Sequence, residues 1–166
     1  MESVMNTSSI YLLFILAITL HNIEEALWLP EWSKHVQRFG KQVSRDEFCF
    51  AVLIITMLAY LATGLFMIFP QILILKYFFF GFIGSMIINV IFPHLASSIV
   101  LKKYCPGLIT GIFLIIPFNS LIIAFLLNNK IINFSEIIIS TVVVGIFLLI
   151  LIYILKKIGG KLIDYK

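Results

Sequence analysis

His21, Glu24 and Glu25 stand close together in a stretch that is otherwise apolar, where the uncharged run Ile10–Asn22 gives way to two consecutive glutamates. Their spacing, i, i+3 and i+4, gathers the three side chains on one face of a helix. A second histidine, His94, lies in another apolar run one residue after Pro93, with Asn89 four residues before that proline. Imidazole and carboxylate are ligands for zinc, iron and manganese. The same groups work as general acids and bases when no metal is present.

A helix that must lie in lipid does not carry such residues without a cost. An acidic side chain at mid-span costs roughly 2.5–3.5 kcal/mol, and less towards the interface. Two neighbouring carboxylates in a low-dielectric site also need a counter-charge. No lysine or arginine falls in that half of any expected span, so the charge must come from a protonated histidine or a bound divalent cation. The expected ligands are drawn from His21, Glu24, Glu25 and His94: the two histidines with Glu24 or Glu25 around one metal ion, the other glutamate left uncoordinated as general base or acid. Pro93 cannot donate to the Asn89 carbonyl and should kink its helix. Asn89 and His94, ~140° apart on a straight helix, can then be drawn together, and Asn89 can hold the metal or a substrate oxygen. Thr56, Tyr60 and Thr63 on the second span and Thr110 on the fourth are expected to line the same pocket, although helix packing explains them equally well.

The motif is not the HExxH of zinc proteases, and the chain lacks the paired ExxH helices of di-iron bundles. A different reading keeps the cluster purely structural, with hydrogen bonds pinning two helices at about 0.6 kcal/mol each.

The elements that must position these residues are membrane helices. The 166-residue chain is 61% hydrophobic and 12% charged, with a mean hydropathy of +1.12, against about 25% charged residues in soluble domains. Runs long enough to cross a ~30 Å hydrocarbon core predict an all-α, polytopic bundle with five transmembrane helices. The spans fall at about 8–29, 48–69, 77–100, 107–127 and 137–155, in a single membrane domain over 1–166, with an interfacial segment over 30–47. Lys34, Arg38, Lys41 and Arg45, then Lys102 and Lys103, then Lys156, Lys157, Lys161 and Lys166 fall on one side of that topology; only Lys76 and Lys130 fall on the other. The positive-inside rule puts the N-terminus outside and the C-terminus in the cytoplasm. The net charge of +4 follows from this bias; it needs no nucleic-acid partner and favours anionic lipids at the cytoplasmic face.

Smaller signals fit the same frame. Trp28, Trp32, Val36 and Phe39, with Lys34, Arg38 and Lys41 around them, have the spacing of a short interfacial helix. Capping-box patterns precede the second span (Ser44 to Glu47) and the fifth (Asn133 to Glu136). Pro106 suits the first turn of the fourth helix. Gly81 and Gly84 are read as close-packing positions, and the fifth helix as a lipid-facing support. The N-terminus lacks the basic start of a secretory signal. Cys49 and Cys105 are too few for a disulfide framework and, near the cytoplasmic interface, are expected as reduced thiols.

At His21-Asn22-Ile23-Glu24-Glu25 the chain resembles the HXXEE-domain family, small multi-helix membrane proteins found largely in bacteria. The resemblance extends to a downstream histidine in an apolar helix, Asn89-Val90-Ile91-Phe92-Pro93-His94, and to a Pro-Gly turn, Tyr104-Cys105-Pro106-Gly107. It covers about residues 10 to 120 and implies a site without implying a reaction. Prenyl-endopeptidase-like intramembrane proteases are disfavoured: their E-E-x-x-x-R finds Leu29 at the arginine, and their F-x-x-x-H finds Val90 at the phenylalanine.

The expectation is thus a multi-pass protein of the cell membrane with a metal-assisted enzyme site for a lipidic or small amphipathic substrate. Hydrolysis is preferred, with a glutamate as base, and iron-dependent oxidation would use the same ligands. The alternatives are a non-enzymatic binder or carrier of a metal or small cation, and a structural protein using the cluster to join helices.

Overall fold

A computed structural model describes residues 9–36 and 42–162. Arg38, Phe39 and Lys41 of the expected interfacial segment, and Lys166 of the C-terminal tail, lie outside the described residues.

Each apolar run forms a helix, because in lipid the backbone N–H and C=O groups must be satisfied within the segment itself. The helices are α1 (Leu12–His35), α2 (Arg45–Ile68), α3 (Leu73–Leu101), α4 (Leu108–Asn128) and α5 (Phe134–Leu162), all long and apolar enough to cross a membrane. There is no strand among the described residues. Short connections make sequential helices antiparallel. The C-terminal ends of α1, α3 and α5 therefore meet the N-terminal ends of α2 and α4. That end carries Lys34, Arg45, Lys102, Lys103, Lys156, Lys157 and Lys161, whereas Lys76 and Lys130 lie at the other.

Helix α1 does not stop at the hydropathy boundary but continues through Pro30 to His35. Trp28, Trp32 and Lys34 therefore stand on the extended membrane helix rather than on a separate one. The Ala26 carbonyl, which Pro30 cannot serve, faces the Cys49 thiol at 4.0 Å. Ser33 closes the turn by donating to the Pro30 carbonyl at 2.7 Å and accepting from the Val43 amide at 3.0 Å. The two cap patterns differ in outcome. Asn133 and Glu136 form a reciprocal box, each side chain accepting the other's amide at 2.9 Å. Ser44 makes no side-chain cap, and the Glu47 carboxylate lies beside Gly160 of α5.

Aromatic residues fill the core at the opposite end, that of Lys76 and Lys130. Phe66 stacks on Phe79 with centroids 4.9 Å apart, and Tyr11 and Phe14 meet Phe79 edge-on, the geometry that ring quadrupoles prefer. Helix α5 is more than a lipid-facing support, since it packs along both α3 and α2. Its Ser140, Thr141, Val144, Leu148 and Leu155 are buried, while Val142, Val143, Ile146, Leu149 and Ile150 face outwards. Gly81 and Gly84 allow this approach: a Cβ there would overlap the Ser140 carbonyl and the Thr141 hydroxyl.

Two prolines disturb the helices that carry the site. In α3 the helical path breaks at Phe92, whose φ of −136° and ψ of 114° are extended, immediately before Pro93. In α4 the helix widens over Gly111–Ile115, ahead of Pro117, which cannot donate to the Phe113 carbonyl. Asn119 then fastens α4 to α3 by donating to the Ile83 carbonyl at 3.0 Å.

Filling the α3–α5 contact should be costly. Gly84→Leu is expected to destabilise the bundle by at least the 1–3 kcal/mol typical of overpacking, read as a lowered melting temperature in detergent. Gly64→Ala, where a Cβ meets nothing within 4 Å, should leave it unchanged.

Candidate functional site

Three elements build the site: the second half of α1, the two sides of the break in α3, and the turn that leads into α4. Helix α1 brings His21, Asn22, Glu24 and Glu25. His21 and His94 are fully enclosed, at 0% and 1% exposure. Their rings sit edge to face with centroids 5.1 Å apart.

The break in α3 does what the proline predicts. Asn89 Nδ2 lies 3.2 Å from His94 Nε2 and 3.3 Å from His21 Nε2, so one amide faces both imidazoles. Glu25 Oε1 stands 2.8 Å from His94 Nε2 and 3.8 Å from His21 Nε2. The ligand atoms of His21, Glu25 and His94 all lie within 4.8 Å of one another, a separation that one ion can bridge at normal metal–ligand distances of about 2.0–2.2 Å. Both histidines present the same nitrogen, Nε2, to this point. Their other nitrogens are held from outside the cluster: His21 Nδ1 is 3.1 Å from Thr110 Oγ1, and His94 Nδ1 is 3.8 Å from Cys105 Sγ. Backing of this kind fixes ring orientation and tautomer in metal-binding histidines.

Glu24 goes elsewhere. Of the expected set His21, Glu24, Glu25 and His94, only Glu24 is absent from the trio. Its carboxylate accepts the Gly107 amide at 2.7 Å, the Thr110 amide at 2.8 Å and the Tyr104 hydroxyl. The physical reason is that α4 begins with unpaired amides, and where water is excluded an acceptor must come from the protein. A carboxylate also suits the positive end of the helix dipole. Tyr104 lies in the turn between α3 and α4, and burial, with the Glu24 charge beside it, raises its phenol pKa above the ordinary value. With its oxygens engaged, Glu24 is no free base.

The remaining expectations divide. Thr110 does reach the site, through both its hydroxyl and its amide. Thr56 touches only its edge, accepting from Asn22 Nδ2 at 2.7 Å while donating to the Val52 carbonyl. Tyr60 lies away from the cluster, with its hydroxyl 2.7 Å from Thr19 Oγ1, and Thr63 bonds its own helix at Ala59; both are helix-packing residues. Lys156 of α5 lies within electrostatic reach of Glu25, a counter-charge that counting along single spans does not reveal.

Tyr104, Cys105 and Gly107 are site residues that their types alone do not announce. Gly107 has φ of +91°, and a Cβ there would lie 2.6 Å from His94 Cε1 and 3.1 Å from His21 Cε1. Gly107→Ala should therefore push the histidines apart and strain the turn, at about 1–3 kcal/mol for the backbone alone. The expected readout is a lowered melting temperature together with displaced histidine ring signals in NMR spectra.

A family model described as "Protein of unknown function with HXXEE motif" matches residues 12–122, which include every residue of this cluster. Over 148 residues the chain is 56% identical to "Uncharacterized protein YrkK" of Bacillus subtilis (strain 168), covering 89% of this chain and 94% of that protein. No solved structure matches the chain.

Proposed function

This chain belongs to the HXXEE-motif family, and from that premise we propose that it is a multi-pass protein of the cell membrane holding one divalent metal ion, zinc, iron or manganese, on His21, Glu25 and His94. The observation that carries this reading is the convergence of two imidazole Nε2 atoms and one carboxylate on a common point, with both Nδ1 atoms held from behind. Two histidines and one carboxylate leave coordination positions open, as in catalytic rather than structural sites.

The proposed activity is metal-assisted hydrolysis of a lipidic or small amphipathic substrate. The ion would supply a Lewis acid that polarises the scissile group. With His21 Nε2, His94 Nε2 and Glu25 Oε1 as the atoms that would hold it, the second carboxylate oxygen of Glu25 would serve as the base beside it, and Asn89 can orient a substrate oxygen. Substrate would enter from the lysine-rich end, which is proposed to face the cytoplasm and its anionic lipids, with the N-terminus outside. One observation favours a second reading, a non-enzymatic metal binder: Glu24, the other candidate base, is held by Tyr104, Gly107 and Thr110.

Elemental analysis of the detergent-purified protein tests the metal. About one zinc, iron or manganese per chain is expected, and Glu25→Gln or His94→Ala should lose it while remaining folded. A metal-free wild type, even after supplementation, would sink the proposal. Release of product from membrane-lipid extracts by the loaded wild type, absent in Glu25→Gln, separates the enzyme from the binder.

A further inference from the structure

We infer that the two adjacent glutamates have divided roles, and that Glu24 is a positioning residue which holds the Tyr104–Thr110 turn against the outer nitrogens of both histidines. This rests on the reading of His21, Glu25 and His94 as the reactive set and deepens it. On a helix, neighbouring residues point about 100° apart, so Glu25 faces His94 on α3 while Glu24 faces the start of α4.

The three groups that Glu24 gathers bracket the turn: the Tyr104 hydroxyl, the Gly107 amide and the Thr110 amide. Within that bracket lie the atoms that fix the imidazoles. Cys105 Sγ stands behind His94 and Thr110 Oγ1 behind His21, while Gly107 Cα approaches both rings so closely that a Cβ has no room. A carboxylate accepts at every lone pair, whereas an amide presents two N–H groups that would oppose the Gly107 or Thr110 amide. Glu24→Gln should therefore loosen the turn without touching a ligand atom. Changes at groups that orient metal-binding histidines typically cost 10–100-fold in affinity.

The test uses the full-length, metal-free chain in detergent, with cobalt(II) as the probe and nitrogen-15 NMR of the histidine rings as a second readout. For Glu24→Gln the expected results are cobalt(II) binding weakened about 10–100-fold, with a shifted visible absorption band, and His21 passing from one tautomer to a mixture. Thr110→Val should give the same signature, and the double variant should be no worse than either single one, because both act through one connection. If Glu24→Gln does not accumulate, Tyr104→Phe, which removes one donor at a partly exposed position, carries the same test with a smaller effect. Unchanged histidine spectra in Glu24→Gln, or in Tyr104→Phe where that variant stands in, overturn the inference whatever the cobalt does. So does a complete loss of cobalt equal to that of Glu25→Gln with the tautomers intact, which would make Glu24 a ligand. A wild type that binds no cobalt, with the tautomer change still present in Glu24→Gln, leaves the positioning role standing and removes the metal.

Discussion

Helix α4 begins with amides that no residue of its own can satisfy, close to a membrane interior where water is scarce. The Glu24 carboxylate of α1 supplies the acceptor, and the geometry of the cluster depends on that bond. Charge-assisted hydrogen bonds of this kind are roughly twice as strong as neutral ones, and in a low-dielectric setting an unpaired partner is costly. The interaction thus ties α1 to the turn from which Cys105 and Thr110 reach the histidines. A residue that hydropathy marks as a liability is the one that permits a helix to start there.

The second constraint is the break in α3. A continuous helix would leave Asn89 and His94 on different faces. The extended step at Phe92 brings the Asn89 amide to 3.2 Å from His94, so α3 alone supplies both groups. Gly111 is part of the same arrangement. A Cβ at that position would lie 2.7 Å from Val90, so α4 can come close to the broken segment only because it has none. Bulk is excluded at Gly107 and Gly111 for one reason, which is to let the start of α4 close over the histidines.

Much of this was legible in the sequence. Long apolar runs specify membrane helices directly, because lipid leaves the backbone few alternatives, and the five runs correspond to α1–α5. The spacing of His21, Glu24 and Glu25 and the kink expected at Pro93 pointed to one cluster, where the two imidazoles lie. Other features depended on neighbours that a linear reading does not supply. Tyr60 has the right period to join Thr56 on one face, but the period does not say which helix that face meets, and it meets Thr19. Helix α5 reads as a featureless lipid-facing segment because its contact with α3 is made through glycines opposite Ser140 and Thr141. The turn Tyr104–Gly107 stood out only as a resemblance to a family, since a tyrosine, a cysteine and a glycine in a loop carry no periodic signal.

The pair of glutamates is then explained by direction rather than by charge. One carboxylate cannot serve both α3 and α4, since it would have to hold the amides of α4 and face His94 Nε2 together. Two carboxylates at consecutive positions diverge by about 100° and do both without a second helix being recruited. Their mutual repulsion is limited because each negative charge is met locally, Glu24 by N–H and O–H donors and Glu25 by His94 at 2.8 Å with Lys156 within electrostatic reach. Moving either glutamate by one position would turn it away from its partner, so the spacing from His21 follows from the placement of three helices around one turn.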